Sequence, residues 1–506
     1  MTNPLYDTLF GQHNANKKTF LRLEGDHTIS YATFLEMAAR YAGFMTDQGV
    51  APGDRVAVQV EKSPQALAIY AACVQAGVVF LPLNIAYTAD EVAYFVENSG
   101  ARLLVCDGGN AGALAPIAQS CGCLLETLNA DGTGGFTAKA AAYPAHFETA
   151  PRSEDDLAAF LYTSGTTGRS KGAMLTQRNL LSNAEILVKE WQFTSRDVLL
   201  HALPIFHTHG LFVASNIALL TGSEMIFLPK FDLDKAIGQL PRATAMMGVP
   251  TFYTRLLADP RFTKDLARHM RLFVSGSAPL LAETHVQFEE RTGHRILERY
   301  GMTETNMNTS NPYNGERRAG TVGFALPDVE LKITDPVSGE TLAQGEIGII
   351  EVRGPNVFKG YWQMPEKTKE ELREDGFFIT GDLGQIDADG YVQIVGRNKD
   401  LIISGGYNIY PKEVELVLDE QEGVAESAVI GVPHPDFGES VVGILVARAG
   451  VDIDTDQIKQ NLSKTLARFK QPQHLIVLAE LPRNTMGKVQ KNLLRTRFAH
   501  IASENT

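Results

Sequence analysis

Cysteine is scarce in this chain: its 506 residues include four cysteines. Two of them form the segment Cys121-Gly122-Cys123, which lacks the two-residue spacing of a zinc site and has no matching second pair. Cys73 and Cys106 stand alone in the sequence. We therefore predict free thiols, buried or incidental, in a reducing compartment.

Long apolar runs are also missing. The longest apolar stretch, residues 69–86, is interrupted by Gln75, Gly77, Pro82 and Asn84. This pattern predicts a helix followed by a buried strand, not a membrane span. The N-terminus shows no basic segment followed by an apolar one, and the last three residues are not a peroxisomal signal. We expect a cytoplasmic location and no membrane partner.

Basic residues are fewer than acidic ones: 46 Lys and Arg against 59 Asp and Glu, a formal net charge of −13. Nucleic acid or an anionic membrane as the main partner would require a basic face, so this charge argues against both. A polyanion bound by this chain must therefore meet cations that are concentrated locally.

Such a concentration occurs between Tyr162 and Gly172, in the sequence Tyr-Thr-Ser-Gly-Thr-Thr-Gly-Arg-Ser-Lys-Gly. Glycines let backbone N–H groups turn inward, while the hydroxyls, Arg169 and Lys171 add donors and positive charge, which favours a polyphosphate cradle. The spacing differs from Walker A, which has four residues between its first glycine and its Gly-Lys pair. The alternative is a flexible linker between domains, but linkers seldom concentrate Arg and Lys among their glycines.

Length and pattern predict at least two domains. Strand-like and helix-like segments alternate through residues 55–105 and again through 199–275, which predicts parallel, doubly wound sheets in an α/β protein. From about residue 323 short strands alternate with period two, which indicates a sandwich or distorted barrel. The last segment mixes strands and helices, and the charged, glycine-flanked stretch at 396–400 is the predicted boundary.

Four further motifs follow the glycine-rich loop in order. They are Glu-Arg-Tyr-Gly-Met-Thr-Glu at 298–304, Thr-Gly-Asp at 380–382, Gly-Arg-Asn-Lys-Asp at 396–400 with Ile-Ser-Gly-Gly-Tyr-Asn-Ile at 403–409, and Pro-Arg-Asn-Thr-Met-Gly-Lys at 482–488. With the loop, they resemble the adenylate-forming acyl-CoA synthetase superfamily over essentially the whole chain.

The resemblance implies a fold and a reaction. The fold would be a large AMP-binding domain at 1–396, with two doubly wound sheets and a distorted β-barrel, and a small mobile α+β domain at 397–506. In the reaction a carboxylate attacks the α-phosphate of MgATP to give an acyl-adenylate, and the thiol of coenzyme A then displaces AMP.

The resemblance also implies the residues that bind the nucleotide. Lys488 matches the catalytic lysine that bridges carboxylate and α-phosphate, where two anions must approach each other. Glu304 matches the magnesium ligand, the alternative being a helix N-terminal carboxylate, and Thr303 would donate to the α-phosphate. The other ATP contacts are Thr163, Ser164, Gly165, Thr166, Thr167, Gly168 and Lys171 in the loop, Ser277 and Tyr300 near adenine, Asp382 near the ribose, and Arg397 near the ribose or a phosphate. Ordinary core packing stays open for Tyr300, and a simple turn for Asp382.

For the second step the family rotates its small domain about a hinge, and Lys399 is the matching residue. Ser404, Gly405 and Gly406 would then bind the thiol arm of coenzyme A. The context of Lys488 also resembles that of acetylation-regulated relatives, so a lysine acetyltransferase or deacetylase is a further predicted partner.

Three residues indicate which acid is activated. Arg299 stands where many relatives carry a small or neutral residue, and a buried cation there would pair well with a second carboxylate. Ser277 adds a hydroxyl, and His207 matches the family's pocket histidine. The sequences around His207 and Arg299 resemble malonyl-CoA synthetases, so we predict malonate as the substrate, with methylmalonate as a second candidate. The alternatives are a surface ion pair with Glu298 or a nearby acid for Arg299 and a structural role for His207.

Other functions share the nucleotide motifs. A synthetase for another short-chain acid, an adenylation enzyme that loads a carrier protein, a non-catalytic nucleotide sensor and a luciferase-like oxidation all stay open at this point. A sensor, however, would have no need of Lys488 or of the hinge. The predicted small-molecule partners are therefore a dicarboxylic acid, ATP with Mg²⁺, and coenzyme A.

Overall fold

The computed structural model describes residues 3–163, 170–404, 407–434, 437–484 and 487–501. The chain divides into two compact units. The first consists of Met1–Glu330 and Val352–Phe378, and the second of Leu331–Glu351 and Ile379–Thr506. The four cysteines are free thiols, as predicted, and three of them are buried.

One sheet of the first unit is built mainly from parallel strands. Its order is Leu124–Thr127, Leu103–Cys106, Arg55–Gln59, Val79–Pro82, Leu157–Thr163 and Lys171–Thr176, and only the last pair among these strands is antiparallel. The accompanying helices are Tyr31–Asp47, Pro64–Ala76, Ala89–Ser99, Ala111–Ser120 and Gly135–Ala140. The predicted doubly wound pattern is confirmed here.

Local sequence explains where these helices begin and end. The Ser63 hydroxyl accepts a hydrogen bond from the N–H of Ala66 and Pro64 fills the first helical position, while Gly77 ends the helix in the left-handed region with φ +68°. In the next helix, Thr88 and Glu91 form a reciprocal capping box.

The second sheet of this unit carries the segments on which the candidate site is built. Its order is Phe324–Ala325, Asn306–Ser310, Leu297–Met302, Leu272–Ser275, Ala245–Gly248, Val198–His201, Glu224–Phe227, Thr19–Arg22 and Thr28–Ser30. Its α-helices are Pro4–Leu9, Gln177–Glu190, Asn216–Thr221, Leu233–Gln239, Pro250–Ala258, Lys264–Ala267 and Ala282–Thr292, and Pro365–Glu371 follows later in the chain. A π-helical segment, His209–Ser215, precedes the helix Asn216–Thr221.

The second unit contains two smaller sheets. One has the order Glu330–Thr334, Gly348–Arg353, Phe378–Ile386 and Val392–Arg397, in the region of the predicted distorted barrel. The other has the order Tyr407–Ile409, Ile402–Ser404, Gly438–Ala447 and Val424–His434, with His474–Leu478 paired to Gly438–Ala447. Its helices are Pro411–Asp419, Thr455–Thr465 and Lys491–Arg497. The mixed α/β class with an α+β C-terminal part is confirmed, while the boundary at 396/397 and the mobility of that part stay predictions.

Short 3₁₀ turns occur at Gly11–His13, Glu24–Asp26, Leu240–Arg242, Asn398–Asp400 and Arg468–Lys470. Within the described ranges, no helix combines the length and the apolar character needed to span a bilayer.

Candidate active site

The two ends of the glycine-rich loop are held next to each other by an antiparallel strand pair in which Thr163 is the partner of Lys171. Gly172 is required there, because a Cβ atom at this position would lie 2.1 Å from the ring of Phe160. The predicted phosphate contacts at Ser164, Gly165, Thr166, Thr167 and Gly168 lie outside the described residues.

Lys171, the predicted phosphate-binding lysine, is already paired with a carboxylate. Its Nζ lies 3.0 Å from Glu371 Oε1 and 3.1 Å from Glu371 Oε2, and 4.1 Å from the ring centroid of Tyr361. Burial raises the pKa of Glu371, but hydrogen bonds from Tyr361, Lys367 and Lys171 outweigh it and lower the pKa overall. Glu371 is therefore a carboxylate that holds the lysine at the edge of the loop.

Tyr361 connects this pair to Glu304, the predicted magnesium ligand. The Tyr361 hydroxyl lies 2.6 Å from Glu371 Oε2 and 3.0 Å from Glu304 Oε1, and Thr163 Oγ1 lies 3.4 Å from the same Glu304 oxygen. Glu304 is 5% exposed. Sequence reasoning missed Tyr361 and Glu371, because no local pattern relates them to the loop about 200 positions earlier.

The oxygen atoms at Glu304 are suitable ligands for a hard cation. A buried carboxylate beside a hydroxyl offers the oxygen ligands that Mg²⁺ prefers. The described part of the chain contains no group of three or more His, Cys, Asp or Glu side chains that could hold a metal alone. A cation at Glu304 would therefore take most of its ligands from phosphate oxygens and water, as Mg²⁺ commonly does in nucleotide sites.

Arg299 is a buried cation on the strand Leu297–Met302, with 4% of its surface exposed. Its guanidinium packs so closely on Gly276 that a Cβ atom there would lie 2.4 Å from Arg299 Cζ. Its Nε and Nη2 atoms have no hydrogen-bond partner among the residues that the structure describes. Burial lowers the pKa of Arg299 to about 9. The alternative of a surface ion pair with Glu298 is therefore wrong.

His209 and Ser277 lie beside this cation. His209 Nδ1 is 3.2 Å from Ser277 Oγ, while His209 Nε2 is buried without a partner in the described ranges. Burial, followed by the charge of Arg299, holds the pKa of His209 well below its usual range, so the imidazole is neutral. Ser277 has φ +71°, a strained conformation for a residue other than glycine.

The structure adds a second histidine to the predicted His207: His209 contacts Ser277. The backbone N–H of His209 donates to Nδ1 of His207 at 3.3 Å, so His207 orients the turn that presents His209. Both histidines lie in one Phe-His-Thr-His-Gly block, so the sequence offered both as candidates, but only His207 matches the pocket histidine of the family.

Tyr300, Thr303 and Glu304 follow Arg299 along one strand and the turn after it. Tyr300 pairs with Thr309 in the adjacent strand, and both Tyr300 and Thr303 are half-buried. Gly301 is required between them, since a Cβ atom there would lie 1.9 Å from the carbonyl oxygen of Asn306. The strand thus brings the buried arginine and the metal-ligand candidate to one end of the sheet.

In the second unit, Asp382 and Arg397 pair in register on adjacent strands, and Arg397 Nε lies 2.7 Å from Asp382 Oδ1. Lys399 follows in the turn Asn398–Asp400, and Arg495 Nη2 donates to Asp400 at 2.6 Å. Ser404 ends a strand and is half-buried, while Gly405 and Gly406 lie outside the described residues.

Lys488 lies in a loop closed by its own neighbours. Its backbone N–H donates to Asn484 Oδ1 at 2.9 Å, and Arg483 donates to the carbonyl of Gly487 at 2.6 Å. Lys488 retains an exposed surface, yet protein atoms and charges surround its amine. Burial, followed by the charge of Arg397, lowers the pKa of Lys488 to about 8, against the opposing effect of Asp382.

Comparison with known proteins identifies the class. Residues 11–362 match the AMP-binding enzyme family, and residues 413–488 match the AMP-binding enzyme C-terminal domain. The chain belongs to the AMP-binding enzyme family.

Among its relatives, a malonate–CoA ligase of Arabidopsis thaliana is 36% identical over 489 residues, covering 90% of this chain and 79% of the relative. A feruloyl-CoA synthase of Amycolatopsis sp is 37% identical over 94% of this chain and 95% of its own length. The crystal structure of ATP-bound MatB from Rhodopseudomonas palustris matches with a TM-score of 0.97 and 56% identity, over 99% of this chain and all (100%) of that one.

Proposed function

We propose that this protein is an AMP-forming ligase that converts malonate and coenzyme A to malonyl-CoA through a malonyl-adenylate. The observation that carries the proposal is the buried guanidinium of Arg299 close to His209 and Ser277, with Nε and Nη2 donors that have no partner among the described residues. Support comes also from the similarity to the Arabidopsis malonate–CoA ligase and to ATP-bound MatB.

These buried donors suit an acid with a second carboxylate. Arg299 offers Nε and Nη2 as a planar fork, and a carboxylate can accept from both. His209 Nε2 supplies a further donor, because neutral His209 with Nδ1 facing the Ser277 hydroxyl can carry its hydrogen on Nε2. A monocarboxylate would leave the buried donors unpaired, and that cost disfavours fatty and aromatic acids. Methylmalonate is a second candidate because it keeps both carboxylates.

The other carboxylate would attack ATP. Lys171, Thr163 and the loop residues Ser164–Gly168 would hold the phosphates, and Thr303 and Lys488 the α-phosphate. Asp382 and Arg397 would bind the ribose, and Tyr300 would stack on adenine. Mg²⁺ held by Glu304 would neutralise charge on the phosphates as the leaving group develops.

The thioester step would use the second unit. Lys399 as hinge, Ser404, Gly405 and Gly406 as contacts of coenzyme A, and a domain boundary at 396/397 are all part of this proposal. A thioester assay with free coenzyme A against a carrier protein separates the ligase from a carrier-loading enzyme, and faster loading of the carrier would contradict the ligase.

A cytoplasmic location and acylation of Lys488 by a lysine acetyltransferase belong to the same proposal. Cell fractionation and intact-mass analysis of protein purified from its own cells test them. Recovery in the membrane fraction would contradict the cytoplasmic location. Uniformly unmodified Lys488 would contradict its acylation.

The central experiment is ATP–pyrophosphate exchange with malonate, methylmalonate, acetate and a fatty acid. We expect malonate to give the highest kcat/KM.

Arg299→Ala should lower kcat/KM for malonate by roughly 100-fold or more, because the buried carboxylate of the substrate loses the guanidinium that pairs with it. Arg317→Ala is the matched control, because Arg317 donates to the carbonyls of Pro312, Tyr313 and Arg295 instead. Unchanged malonate exchange in Arg299→Ala, or faster exchange with acetate in the unmodified protein, would overturn the proposal.

A further inference from the structure

Lys62 is a buried lysine without a carboxylate partner among the residues that the structure describes. It is 7% exposed, and its Nζ lies 4.2 Å from the ring centroid of Phe227. Burial holds the pKa of Lys62 well below its usual range. Burying an amine costs free energy unless hydrogen bonds replace the lost contacts with water.

The two hydrogen bonds that Lys62 makes to described residues both go to His201. Lys62 Nζ donates to His201 Nδ1 at 2.8 Å and to the backbone carbonyl of His201 at 2.8 Å. An amine has at least two hydrogens whether it is charged or neutral, so both bonds form in either state. Lys62 therefore fixes the end of the strand Val198–His201 and the side chain of its last residue.

These bonds also decide where the hydrogen of His201 lies. Burial, followed by the neighbouring Lys62, holds the pKa of His201 well below its usual range, so the ring is neutral with a single N–H. Because Nδ1 accepts from Lys62, that hydrogen is on Nε2. Nε2 then donates to the carbonyl of Gly210 at 2.8 Å, which also accepts from Ser215 Oγ at 2.9 Å.

Gly210 is the residue directly after His209, in the π-helical segment His209–Ser215. It packs so tightly that a Cβ atom would lie 2.1 Å from the carbonyl oxygen of Pro204. Because the Gly210 carbonyl is held by His201, the Gly210–Leu211 peptide, one residue after His209, cannot rotate freely. The His209 ring is thereby kept at 3.2 Å from Ser277 Oγ and near Arg299.

We infer that Lys62 and His201 are positioning residues for acid recognition: they hold the Gly210 carbonyl and, through it, the His209 imidazole against Ser277 and Arg299. The inference rests on the proposed function, since it assigns His209 to the acid pocket. Lys62 and His201 do not touch the acid; they fix the geometry of a donor that does. A displacement of about 1 Å in such a donor can cost up to 100-fold in rate.

The test measures kcat/KM for malonate and KM for ATP in Lys62→Met. This substitution keeps the length of the side chain and removes its hydrogen-bond donors. We expect kcat/KM for malonate to fall by roughly 10- to 100-fold, with KM for ATP within about 2-fold. Lys18→Met is the matched control, because Lys18 also donates to a backbone carbonyl, that of Gly222 at 2.7 Å, away from the acid pocket. It should leave both constants unchanged.

A second pair of variants keeps the test decisive if Lys62→Met fails to fold. His201→Gln retains an N–H that can reach the Gly210 carbonyl, whereas His201→Leu has none, so the glutamine variant should recover part of the malonate kcat/KM that leucine loses. The inference would be overturned if Lys62→Met impaired the use of malonate and of ATP equally. It would also be overturned if His201→Gln and His201→Leu had the same kcat/KM for malonate. Absence of malonate turnover in the unmodified protein would instead refute the proposed function and this inference with it.

Discussion

Tyr361 has one hydroxyl hydrogen but lies within hydrogen-bond distance of two carboxylates, Glu371 and Glu304. Glu371 in turn holds Lys171 with both carboxylate oxygens. A polyphosphate that reaches the loop must therefore compete with Glu371 for the lysine. The competitor is a fixed carboxylate on the helix Pro365–Glu371, only partly screened by solvent.

This arrangement predicts that Glu371→Gln binds MgATP more tightly. The amide keeps an acceptor for Tyr361 but removes the charge that competes for Lys171, so we expect Kd for MgATP to fall by roughly 3- to 10-fold, as measured by titration calorimetry. Glu370→Gln is the control, since Glu370 lies on the same helix and its ion pair is with Lys367 at 2.8 Å. Weaker MgATP binding in Glu371→Gln would contradict this account.

The residue scale also shows what a sequence can and cannot predict. Thr163, Lys171 and Glu304 were named from motifs, and the structure brings these three together through Tyr361 and Glu371. The two connecting residues lie in none of the motifs, because their role depends on tertiary contacts: Glu371 reaches Lys171, and Tyr361 reaches Glu304, from about 200 and about 60 positions away. His209 was missed for a different reason: its chemistry was visible, but the direction of its side chain was not.

At the scale of elements, the π-helical segment His209–Ser215 is the feature that hydrophobic periodicity did not predict. Its residues are all buried, so neither a period of 3.6 nor a period of 2 stands out. Regular elements were predicted better: the helix followed by a buried strand that was predicted for residues 69–86 is observed as Pro64–Ala76 and Val79–Pro82. The strands Thr19–Arg22 and Thr28–Ser30 at the end of the second sheet were not predicted.

The π-helical segment predicts a specific effect of Gly210→Ala. The new Cβ would meet the backbone oxygen of Pro204, which cannot move away as a side chain could. We expect a loss of about 1–3 kcal/mol in unfolding free energy and a higher KM for malonate, since His209 moves with its neighbour. Denaturant unfolding and exchange kinetics measure the two effects.

Gly238→Ala is the control for this substitution. Gly238 lies in the helix Leu233–Gln239, and a Cβ atom there would meet nothing within 4 Å. Alanine at this position should be neutral or stabilising, because glycine is unfavourable inside a helix. If Gly210→Ala matched Gly238→Ala in stability and in KM, the segment would not be as constrained as its packing indicates.

At the scale of the whole molecule, the residues proposed for the reaction are divided between the two units. Arg299, His209 and Glu304 belong to the first, whereas Lys488 belongs to the second, beside Asp382 and Arg397. The chain as a whole is acidic, with a formal net charge of −13, so the cations Arg299, Lys488 and Arg397 are a local concentration of positive charge. Because the proposed adenylation brings two anions together, we expect that step to need the charged form of Lys488, and we expect thioester formation to need it less.

The pKa of Lys488 allows the two half-reactions to be distinguished by their dependence on pH. Burial and the charge of Arg397 lower the pKa to about 8, so the amine loses its proton at a lower pH than an ordinary lysine does. Only the charged form can bridge carboxylate and phosphate. We therefore expect kcat/KM for malonate-dependent ATP–pyrophosphate exchange, which reports the free enzyme, to fall about 10-fold per pH unit above about 8. Above about 9 the fall should be steeper, because the Arg299 guanidinium then also loses its proton.

The thioester half-reaction, started from synthetic malonyl-adenylate and coenzyme A, should lack this dependence on Lys488. Lys488→Met should reduce exchange by about 100-fold or more, because the charge that bridges the two anions is gone, and leave single-turnover thioester formation within a few-fold of the unmodified protein. Lys488→Arg, which stays charged, should shift the fall in exchange to higher pH. Equal loss of both half-reactions in Lys488→Met would mean that the lysine supports the structure of the second unit and does not act in adenylation alone.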